Sequence, residues 1–308
     1  QAGDRSVTLA LLGDVMLGRG VAQAIETVET QHGAPQQVAP QPRQASWENA
    51  LAPLGPNLAR ADLALANLES PITVAPLVRE AYDLRAEPHS LVALTAVGLD
   101  LLSIANNHAL DCGSQGVKDT QAALRMAGLT PIGPDPSPVW KKVHSNSSLL
   151  AFLAFEDVAA PMDVSAAAQA VAAARAMGAH AIVSIHWGEE YHPGPQPRQR
   201  QIAQALADGG ATLIWGHHPH VLQPMEWILG KGQVQPTLVI YSLGNALFDQ
   251  HTPPDARRSA LVLVRIDQAG VQSVQAIPFW IEASQGRVKL AGQNLNEIVH
   301  RRLGTWEK

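Results

Sequence analysis

The segment 180-HAIVSIHWGEEYHPGPQPRQRQIAQALADGGATLIWGHHPH-220 contains a strand, a helix and a second strand, in the order that builds a parallel sheet. Residues 180–188 and 211–218 are short apolar runs of the kind that form buried strands. Residues 197–210, between them, are interpreted as a helix. His186 lies near the carboxyl end of the first run, and the second run ends in His217 and His218. The segment therefore predicts an α/β fold with polar side chains at the carboxyl ends of its strands.

The same alternation extends along the chain in both directions. Further strands are predicted at 7–14, 62–69, 99–108, 148–155, 236–245, 259–267 and 271–281. Further helices are predicted from about 21 and at 47–60, 89–98, 114–128, 163–178 and near 294–303. This pattern predicts a largely parallel central sheet, and the last two strands alternate as antiparallel partners do. We expect one domain over residues 1–308, with a Gln/Pro-rich loop near 30–45 and a Pro-rich turn at 131–138.

The composition is that of an ordinary globular protein, with 46% apolar residues, 16% charged residues and a net charge of -5. Its 22 Lys and Arg residues are scattered, which argues against a nucleic-acid surface. No apolar run approaches the roughly 20 residues that span a bilayer. Cys112, the single cysteine, is interpreted as a small buried apolar residue. Because the chain begins at Gln1, we expect that a signal or anchor segment preceded it.

Five predicted strands end in polar residues. Ligands of open α/β sheets bind outside the carboxyl ends of strands, so residues distant in sequence converge there. Carboxylates, an amide oxygen and imidazoles suit a divalent metal. The residues at the strand ends are Asp14, Glu69, Asn107, His108, His186, His217, His218 and His220.

Each of these residues also has a purely structural interpretation. Asp14 could cap a helix, Asn107 could form a turn, and His186 could be a hydrogen-bonded core histidine. The histidines of 216-GHHPH-220 are harder to explain in this way. Three protonated imidazoles within four residues would repel each other, whereas neutral imidazoles can share a cation. The cluster therefore favours a metal site.

Seven motifs, in order, resemble those of one known family. They are GDVMLGR (13–19), NLESPIT (67–73), YDLRAEP (82–88), SIANNHALDCGSQGVKDT (103–120), SIHWGEEY (184–191), GHHPHVLQP (216–224) and YSLGN (241–245). The chain is similar, over about 7–249, to the CapA-like family of poly-gamma-glutamate capsule biosynthesis. That family belongs to the calcineurin-like metallophosphoesterase superfamily. The resemblance implies a four-layer α/β/β/α sandwich with mixed sheets.

The resemblance also implies roles for individual residues. It implies metal ligation by Asp14, Glu69, Asn107, His186, His218 and His220, with Glu69 as the bridging carboxylate and His108 contacting the reacting group. His217 competes with His218 as a ligand, and Glu190 is a residue behind the ligands or an alternative ligand. Met16 stands where the superfamily's first motif has a second ligand, and Glu69 stands where it has Asp. We therefore expect one or two divalent ions, with Mn, Fe or Zn favoured.

Two functions are compatible with this site. The first is metal-assisted hydrolysis of a phosphoester or an anionic polymer, with His108 as proton donor and Arg19 and Arg85 binding the anion. The second is a non-catalytic accessory factor that binds poly-gamma-glutamate for synthesis or export. For either function we expect a location outside the cytoplasm, with a membrane-bound capsule synthesis complex as a partner and no nucleic acid.

Overall fold

A computed structural model describes residues 6–31, 44–79, 82–144 and 148–304. The predicted Gln/Pro-rich loop lies almost wholly outside these residues. The strands are β1 Val7–Val15, β2 Leu63–Leu68, β3 Leu101–Ser103, β4 Thr130–Ile132, β5 Val139–Lys141, β6 Leu149–Glu156, β7 Ala179–His186, β8 Leu213–His217, β9 Leu222–Ile228, β10 Thr237–Leu243, β11 Asn245–Leu247, β12 Arg258–Asp267, β13 Gly270–Glu282 and β14 Arg287–Leu290. The α-helices are α1 Arg19–Gln31, α2 Gln44–Asn49, α3 Gly55–Leu58, α4 Val92–Thr95, α5 Gly113–Met126, α6 Val164–Ala176, α7 Pro197–Asp208 and α8 Gln293–Leu303.

The strands form two mixed sheets. The first sheet has the order β14-β13-β12-β1-β2-β3-β4, and β11 pairs in parallel with the end of β1. The second has the order β5-β6-β7-β8-β10-β9. In the first sheet, parallel strands β1 to β4 extend to one edge and adjoin antiparallel β12 on the other side. In the second sheet, parallel strands β6, β7, β8 and β10 are bordered by antiparallel β5 and β9. The centres of both sheets therefore direct several carboxyl ends toward one edge.

Alternate side chains of the central strands enter different hydrophobic cores. Leu9 and Leu11 of β1 pack between the two sheets, against Phe152 and Trp215 of the second sheet. Leu12 belongs to the core on the opposite face of β1, which contains residues of α1, α2 and α4. A third core lies between the second sheet and helices α6 and α7. This alternation explains the continuous apolar runs and confirms the four-layer α/β/β/α fold.

Two details of the sequence prediction were wrong. The expected largely parallel sheet is instead two mixed sheets, because β12 returns to the first sheet antiparallel to β1. Strand periodicity does not specify which strands pair. The predicted helix at 47–60 is broken into α2, a 3-10 turn at Ala52–Leu54 and α3. Pro53 and Pro56 explain the break, because proline lacks the N–H that a continuing helix needs.

Five strands were not predicted, and one of them, β11, begins where the predicted strand 236–245 ends. Strands β4 and β5 are three residues each and flank the Pro-rich turn, so they carry little periodic signal. Strand β9 contains Pro224 and lies at the edge of its sheet, where proline is tolerated. Strand β14 is also an edge strand. No helix in the described ranges is long and apolar enough to cross a membrane.

Two glycines allow close backbone approach beside the polar strand ends. A Cβ atom on Gly13 would lie 1.8 Å from the carbonyl oxygen of Gly244. A Cβ atom on Gly216 would lie 2.2 Å from the carbonyl oxygen of Tyr241. Both distances are far inside van der Waals contact, so each position needs glycine. The contact at Gly13 accompanies a hydrogen bond in which the Asp14 N–H donates to the Gly244 oxygen over 3.0 Å.

Candidate metal centre

The two sheets contribute different ligand types to one buried cluster. The first sheet supplies carboxylates and amides from Asp14, near the end of β1, and from the residues that follow β2 and β3. The second sheet supplies imidazoles from His186 at the end of β7, His217 at the end of β8 and the turn that follows. Asp14, Glu69, His186, His217 and His220 are all at least 97% buried. The parallel strands of both sheets bring these side chains together.

Asp14 lies where the two sheets meet. Its Oδ1 accepts a hydrogen bond from the Asn67 amide over 2.8 Å, and its Oδ2 accepts one from the His218 backbone N–H over 3.2 Å. Two imidazole nitrogens face the same carboxylate: His217 Nδ1 at 3.6 Å from Oδ1 and His220 Nδ1 at 3.4 Å from Oδ2. The carboxylate is therefore oriented by amide groups and surrounded by imidazoles.

The two carboxylate oxygens of Glu69 face different histidines. Oε1 lies 3.8 Å from His186 Nε2, and Oε2 lies 4.0 Å from His220 Nε2. The Asn67 amide is 3.5 Å from Oε1. The Asn67 amide donates a long hydrogen bond to Oε1, whereas the two imidazole nitrogens lie beyond hydrogen-bond distance and leave space for a ligand between each nitrogen and the oxygen that it faces.

The turn 217–220 holds its histidines in a strained backbone. His218 has φ 92° and His220 has φ 56°, both in the left-handed region that side chains other than glycine's rarely adopt. His217 Nε2 contacts the Ser184 hydroxyl at 3.2 Å, and His220 Nδ1 contacts Asn245 Oδ1 at 2.8 Å. Strain of this kind concentrates at functional sites, where surrounding contacts maintain it.

The loop after β3 contains three consecutive polar residues, Asn106, Asn107 and His108, that make different contacts. Asn106 fixes the loop, because its amide donates to the Leu68 carbonyl over 2.8 Å and its Oδ1 accepts from the His108 backbone N–H over 3.2 Å. His108 Nδ1 contacts Oδ2 of the buried Asp111 at 2.7 Å, and its Nε2 contacts the Asn107 amide nitrogen at 3.2 Å. An Nδ1–H tautomer of His108 satisfies both contacts.

Asp14, Glu69 and His220 lie close enough for the charge of each to shift the pKa values of the others. Burial raises the pKa of Asp14, but the hydrogen bond and charge of His220 outweigh it and hold that pKa well below its usual range. Burial, with the charge of Asp14 next, raises the pKa of Glu69 well above its usual range. Burial lowers the pKa of His220, but Glu69 and Asp14 outweigh it and raise that pKa to about 9. His220 is therefore the imidazole that interacts most strongly with both carboxylates.

The other three histidines of the cluster stay neutral. Burial, and then the charge of His218, lowers the pKa of His186 well below its usual range. Burial lowers the pKa of His217 to about 4. Burial, and then the charge of His220, lowers the pKa of His218 to about 3. A neutral imidazole has a nitrogen lone pair that can bind a metal, so these three rings are suited to be ligands.

Five buried polar atoms of the cluster have no hydrogen-bond partner among the described residues. They are Glu69 Oε2, Asn107 Oδ1, His186 Nε2, His217 Nδ1 and His218 Nδ1. Buried polar atoms are almost always paired, and each exception calls for an explanation such as an ion. All five atoms can act as acceptors or metal ligands. The donor set therefore fits a divalent cation.

The two arginines selected from the sequence already have carboxylate partners. Arg19 pairs with Asp249, with Nη2 2.5 Å from Oδ1, and its guanidinium lies 5.6 Å from the centre of the Tyr82 ring. Arg85 pairs with Asp83 at 2.8 Å and donates to the Ala75 carbonyl over 3.0 Å. Both are roughly 30% exposed, at 29% and 31%. An anion would have to compete with these internal carboxylates.

A cleft of about 240 Å³ borders Asn107, and neither Arg19 nor Arg85 is among the residues that line it. Its apolar lining includes Leu110, Phe155 and Met162. Arg79 lies at this cleft and donates to the Asn107 carbonyl over 3.2 Å. Within the described part of the chain, Arg79 makes no ion pair. The cleft thus combines apolar walls with a cation beside the candidate ligands.

Several residues of the site were not selected from the sequence. Asn67 orients Asp14, Asp111 contacts His108, Ser184 contacts His217, and Arg79 lines the cleft. The three-residue spacing of His108 and Asp111 is a local signal that could have suggested their contact. Ser184 gives no comparable signal, because its partner is 33 residues away on another strand.

Comparison with known proteins gives a family profile and two similar proteins. Residues 8–250 match the profile of the family described as "Bacterial capsule synthesis protein PGA_cap". The chain is 32% identical to the PGA biosynthesis protein CapA of Bacillus subtilis (strain 168), over 93% of this chain and 75% of that protein. It is 29% identical to the "Probable polyglutamine synthesis accessory protein" of Mycobacterium tuberculosis (strain H37Rv), over 97% of this chain and 92% of that protein.

One solved structure has a similar fold. It is described as a novel phosphatase from Mycoplasma pneumoniae and aligns with a TM-score of 0.53, over 89% of this chain and 93% of that one. The sequence identity is 12%, so this likeness concerns the fold alone. The fold is that of the calcineurin-like phosphatases, as the sequence motifs predicted.

Proposed function

Because the chain belongs to the bacterial capsule synthesis protein family PGA_cap, we propose that it is a metal-dependent, hydrolase-like protein of poly-gamma-glutamate capsule biosynthesis. Its substrate in this proposal is a phosphoester or an anionic polymer. One observation carries the proposal: five buried, unpaired polar atoms belong to a cluster built around the carboxylates of Asp14 and Glu69. A buried cluster of this composition is costly unless a cation satisfies it.

The proposed ligands are Asp14, Glu69, Asn107, His186, His218 and His220. Their mixture of imidazole nitrogen, carboxylate oxygen and amide oxygen favours Mn, Fe or Zn over Ca or Mg. His217 remains an alternative to His218, since each ring keeps one unpaired nitrogen. The contact between His217 Nε2 and Ser184 leaves only Nδ1 for a cation. In such a site, a divalent cation supplies Lewis acidity toward a phosphoryl or carbonyl oxygen.

His108 is the proposed proton donor. Its contact with the buried Asp111 fixes the ring and stabilises a positive charge on it, as a carboxylate behind a catalytic histidine does. His108 is partly exposed, with 14% of its side chain accessible, whereas the ligand histidines are buried. To act as donor, Nε2 would first take a proton from solvent, which its partial exposure allows, while Nδ1–H stays on Asp111. Nε2–H would then turn from the Asn107 amide and give that proton to the leaving group.

The cleft beside Asn107 is the proposed site for the organic part of the substrate. Its apolar walls can cover an aliphatic chain, and Arg79 can pair with a carboxylate or phosphate. Arg19 and Arg85, which do not line this cleft, remain candidates for binding the anion. Binding there would require each arginine to exchange its present carboxylate partner for the substrate. Poly-gamma-glutamate carries regularly spaced carboxylates, and one of them could pair with Arg79 at the border of this cleft.

We further propose that the protein works outside the cytoplasm, with a membrane-bound capsule synthesis complex as a partner. The family description, which names capsule synthesis, and the relatives' names, which refer to PGA biosynthesis and polyglutamine synthesis, support this proposal. Fractionation of cells that make the full-length gene product tests the location. A product found in the cytoplasm, without a signal or anchor segment, would contradict it.

The decisive experiment uses the metal-loaded protein with a generic aryl phosphate and with poly-gamma-glutamate. Turnover of either compound that chelation abolishes and Mn²⁺ restores would support the hydrolase. A protein purified without bound metal, and unable to take up Mn²⁺ or Zn²⁺, would refute metal dependence. His180→Ala is a suitable control for variants of the ligand histidines, because His180 is a buried histidine at the other end of β7.

The second candidate function is a non-catalytic accessory factor that binds the polymer. The name of the Mycobacterium tuberculosis relative favours it. Binding of poly-gamma-glutamate that depends on the metal, without turnover of either compound, would identify this function. The same experiment therefore separates the two candidates.

A further inference from the structure

The cleft beside Asn107 contains an acidic side chain as well as Arg79. Glu156, the last residue of β6, is half-buried and is one of the residues that line this cleft. Strand β6 runs parallel to β7, with Glu156 in register with His186. Glu156 therefore lies at the same carboxyl edge of the sheet as the candidate metal ligands, although the sequence did not single it out.

The fold uses one carboxylate oxygen of Glu156 and leaves the other free. Oε1 accepts hydrogen bonds from the backbone N–H groups of Val158 and Ala159, which fixes the turn after β6. Across the described ranges, no group donates to Oε2 and no cation pairs with this carboxylate. The adjacent Asp157 differs, because the Arg198 guanidinium donates to both of its oxygens over 2.7 and 3.0 Å. The charge of Glu156 is thus held in place without being neutralised.

Arg79 is held at the cleft in a similar way. Its Nη1 donates to the Asn107 carbonyl over 3.2 Å, and among the described residues it has no carboxylate partner. Arg79 and Glu156 line one cleft without pairing with each other, so both charges are available to a ligand. The apolar walls of the cleft lower the local dielectric constant, which strengthens the attraction of each charge for an opposite one.

Two opposite charges in one small cleft are complementary to a zwitterion. A glutamate polymer joined through its γ-carboxyl groups has an α-ammonium only at its amino-terminal unit, where the α-carboxylate on the same carbon is also free. We propose that this cleft binds the amino-terminal γ-glutamyl unit, with its ammonium on Glu156 and its α-carboxylate on Arg79. This inference rests on the polymer being the ligand, as in the function proposed above.

Glu156 also discriminates against the rest of the polymer. In every internal unit the α-nitrogen is acylated, and the α-carboxylate is the only charge. An internal unit in the cleft would pair with Arg79 but would bring a second negative charge to Glu156 and leave that residue without a cation. Specificity often depends on such an unfavourable contact with the wrong ligand.

This assignment gives the polymer a direction at the site. The aliphatic part of the terminal unit lies against Leu110, Phe155 and Met162 of the cleft, and its γ-amide extends toward Asn107, the candidate ligand on the same lining. The protein therefore engages the end of a chain rather than its middle. That holds for a hydrolase and equally for a factor that only binds the polymer.

The test measures binding of short γ-glutamyl oligomers to the Mn²⁺-loaded full chain by calorimetry. One oligomer has a free amino terminus, and the other is identical but N-acetylated. Acetylation should lower the affinity of the wild type by about 10-fold or more, the scale of a lost hydrogen bond to a charged group. Glu156→Gln should bind both oligomers alike. Its melting temperature should stay that of the wild type, because glutamine keeps an oxygen for Val158 and Ala159.

A second comparison tests the carboxylate half of the assignment. An oligomer whose terminal unit is γ-aminobutyryl lacks only the α-carboxylate of that unit. Arg79→Gln should no longer distinguish this oligomer from the complete one, yet should still distinguish the free from the acetylated amino terminus. Glu297→Gln, which changes an exposed acid on α8, is the control for loss of charge and should behave as the wild type.

The other outcomes separate this inference from the function on which it rests. Equal affinity of the wild type for the free and acetylated oligomers would overturn the inference and leave the proposed function intact. Discrimination by Glu156→Gln as strong as that of the wild type would exclude Glu156 as the partner of the ammonium. Failure of the wild type to bind any oligomer or the long polymer would overturn the inference together with the polymer as ligand, and turnover of the aryl phosphate would then decide whether the protein is a hydrolase.

Discussion

The two ends of strand β7 carry a buried histidine each, and the two histidines differ in their partners. His180, at the start of the strand, contacts the Thr212 hydroxyl at 3.1 Å. His186, at its carboxyl end, has an unpaired Nε2 and faces the Glu69 carboxylate at 3.8 Å. Both rings are at least 95% buried, so burial does not distinguish them. The difference is whether the fold itself satisfies the imidazole nitrogens.

This comparison gives a criterion for separating structural from ligand histidines. A histidine whose polar atoms are paired within the fold contributes to stability. One whose buried nitrogen is left unpaired beside carboxylates requires a further group, because an unpaired buried polar atom costs about 1–3 kcal/mol. The sequence alone distinguishes His186 from His180 only by its position at the carboxyl end of the strand.

The largest effect is expected from His186→Ala compared with His180→Ala. Loss of the His186 ligand should reduce metal affinity by more than about 100-fold, beyond the range seen for residues behind the ligands, and abolish metal-dependent turnover. His180→Ala should keep its metal and lose about 1–3 kcal/mol of unfolding free energy, because Thr212 loses its partner. Metal analysis after dialysis and thermal unfolding measure both. Equal metal retention in the two variants would contradict the criterion.

The next effect concerns the neighbours Asn107 and His108. His108→Ala should leave metal content nearly intact and reduce turnover by roughly 10²–10⁴, the usual scale for a general acid or base. Asn107→Ala should instead lower metal content, because it removes an amide oxygen that we propose as a ligand. Paired measurements of metal stoichiometry, melting temperature and hydrolysis rate distinguish these results. A His108→Ala protein that hydrolyses at the wild-type rate would remove His108 from the mechanism.

A smaller effect is expected when a residue behind a ligand is changed. Asn245→Ala removes the contact that orients His220 Nδ1 and should weaken metal affinity by about 10–100-fold without removing any ligand. Ser273→Ala on the exposed part of β13 serves as a surface control. Calorimetric titration with Mn²⁺ is the measurement. An unchanged affinity would show that the turn 217–220 holds His220 without Asn245.

Arg79→Gln should have a modest effect on binding of the anionic polymer. An exposed ion pair contributes about 0.2–1 kcal/mol, so affinity for poly-gamma-glutamate should fall by roughly 2- to 5-fold. Arg60→Gln is the control, because Arg60 is also exposed but lies just before β2, away from the carboxyl ends of the strands. Binding is measured on metal-loaded proteins at low and high salt. Equal losses in both variants would indicate a general charge effect rather than recognition in the cleft.

The smallest expected effect is on the pH dependence of the unfolding free energy when His180, at the start of β7, is replaced. Burial, and then the charge of Arg175, lowers the pKa of His180 below its ordinary value of 6.5. Below pH 6.5 the unfolded chain therefore takes up a proton that the folded chain resists, and stability falls as pH falls. His180→Gln cannot titrate, so its unfolding free energy should fall less steeply below pH 6.5, by at most about 1.4 kcal/mol per pH unit. Denaturant unfolding at several pH values is the measurement, and parallel curves would contradict the assignment.

Much of the fold could be predicted, because the strands that pack on both faces are continuous apolar runs with polar ends. Strand β7 was predicted at 180–188 and is observed at Ala179–His186. The antiparallel pairing of the last two predicted strands is confirmed by β12 and β13. The pairing of β12 with β1 could not be predicted, since a strand carries the same alternation whichever sheet it joins. The division of helix 47–60 depended on prolines whose effect is local, and strands of three or four residues carry too little periodic signal.

The position of the site could also be inferred, because carboxyl ends of parallel strands share one edge of a sheet. The network that orients its residues could not. Asn67, Ser184 and Asn245 act through partners on other strands, and a single sequence contains no trace of such pairs. The present partners of Arg19 and Arg85 were missed for a related reason. A charged side chain in a motif gives no sign of whether the fold already neutralises it.

The glycines at 13 and 216 limit which sequences can carry this centre. Neither has a side chain that could touch an ion, yet a methyl group at either position would collide with a carbonyl oxygen of a neighbouring strand. A directed-evolution library that varies the proposed ligand residues would therefore test new side chains on an unchanged backbone. Randomisation of Gly13 or Gly216 would mostly return inactive clones, even with every ligand retained. A search for unrelated chains with the same centre should weigh these two backbone contacts as heavily as the histidines.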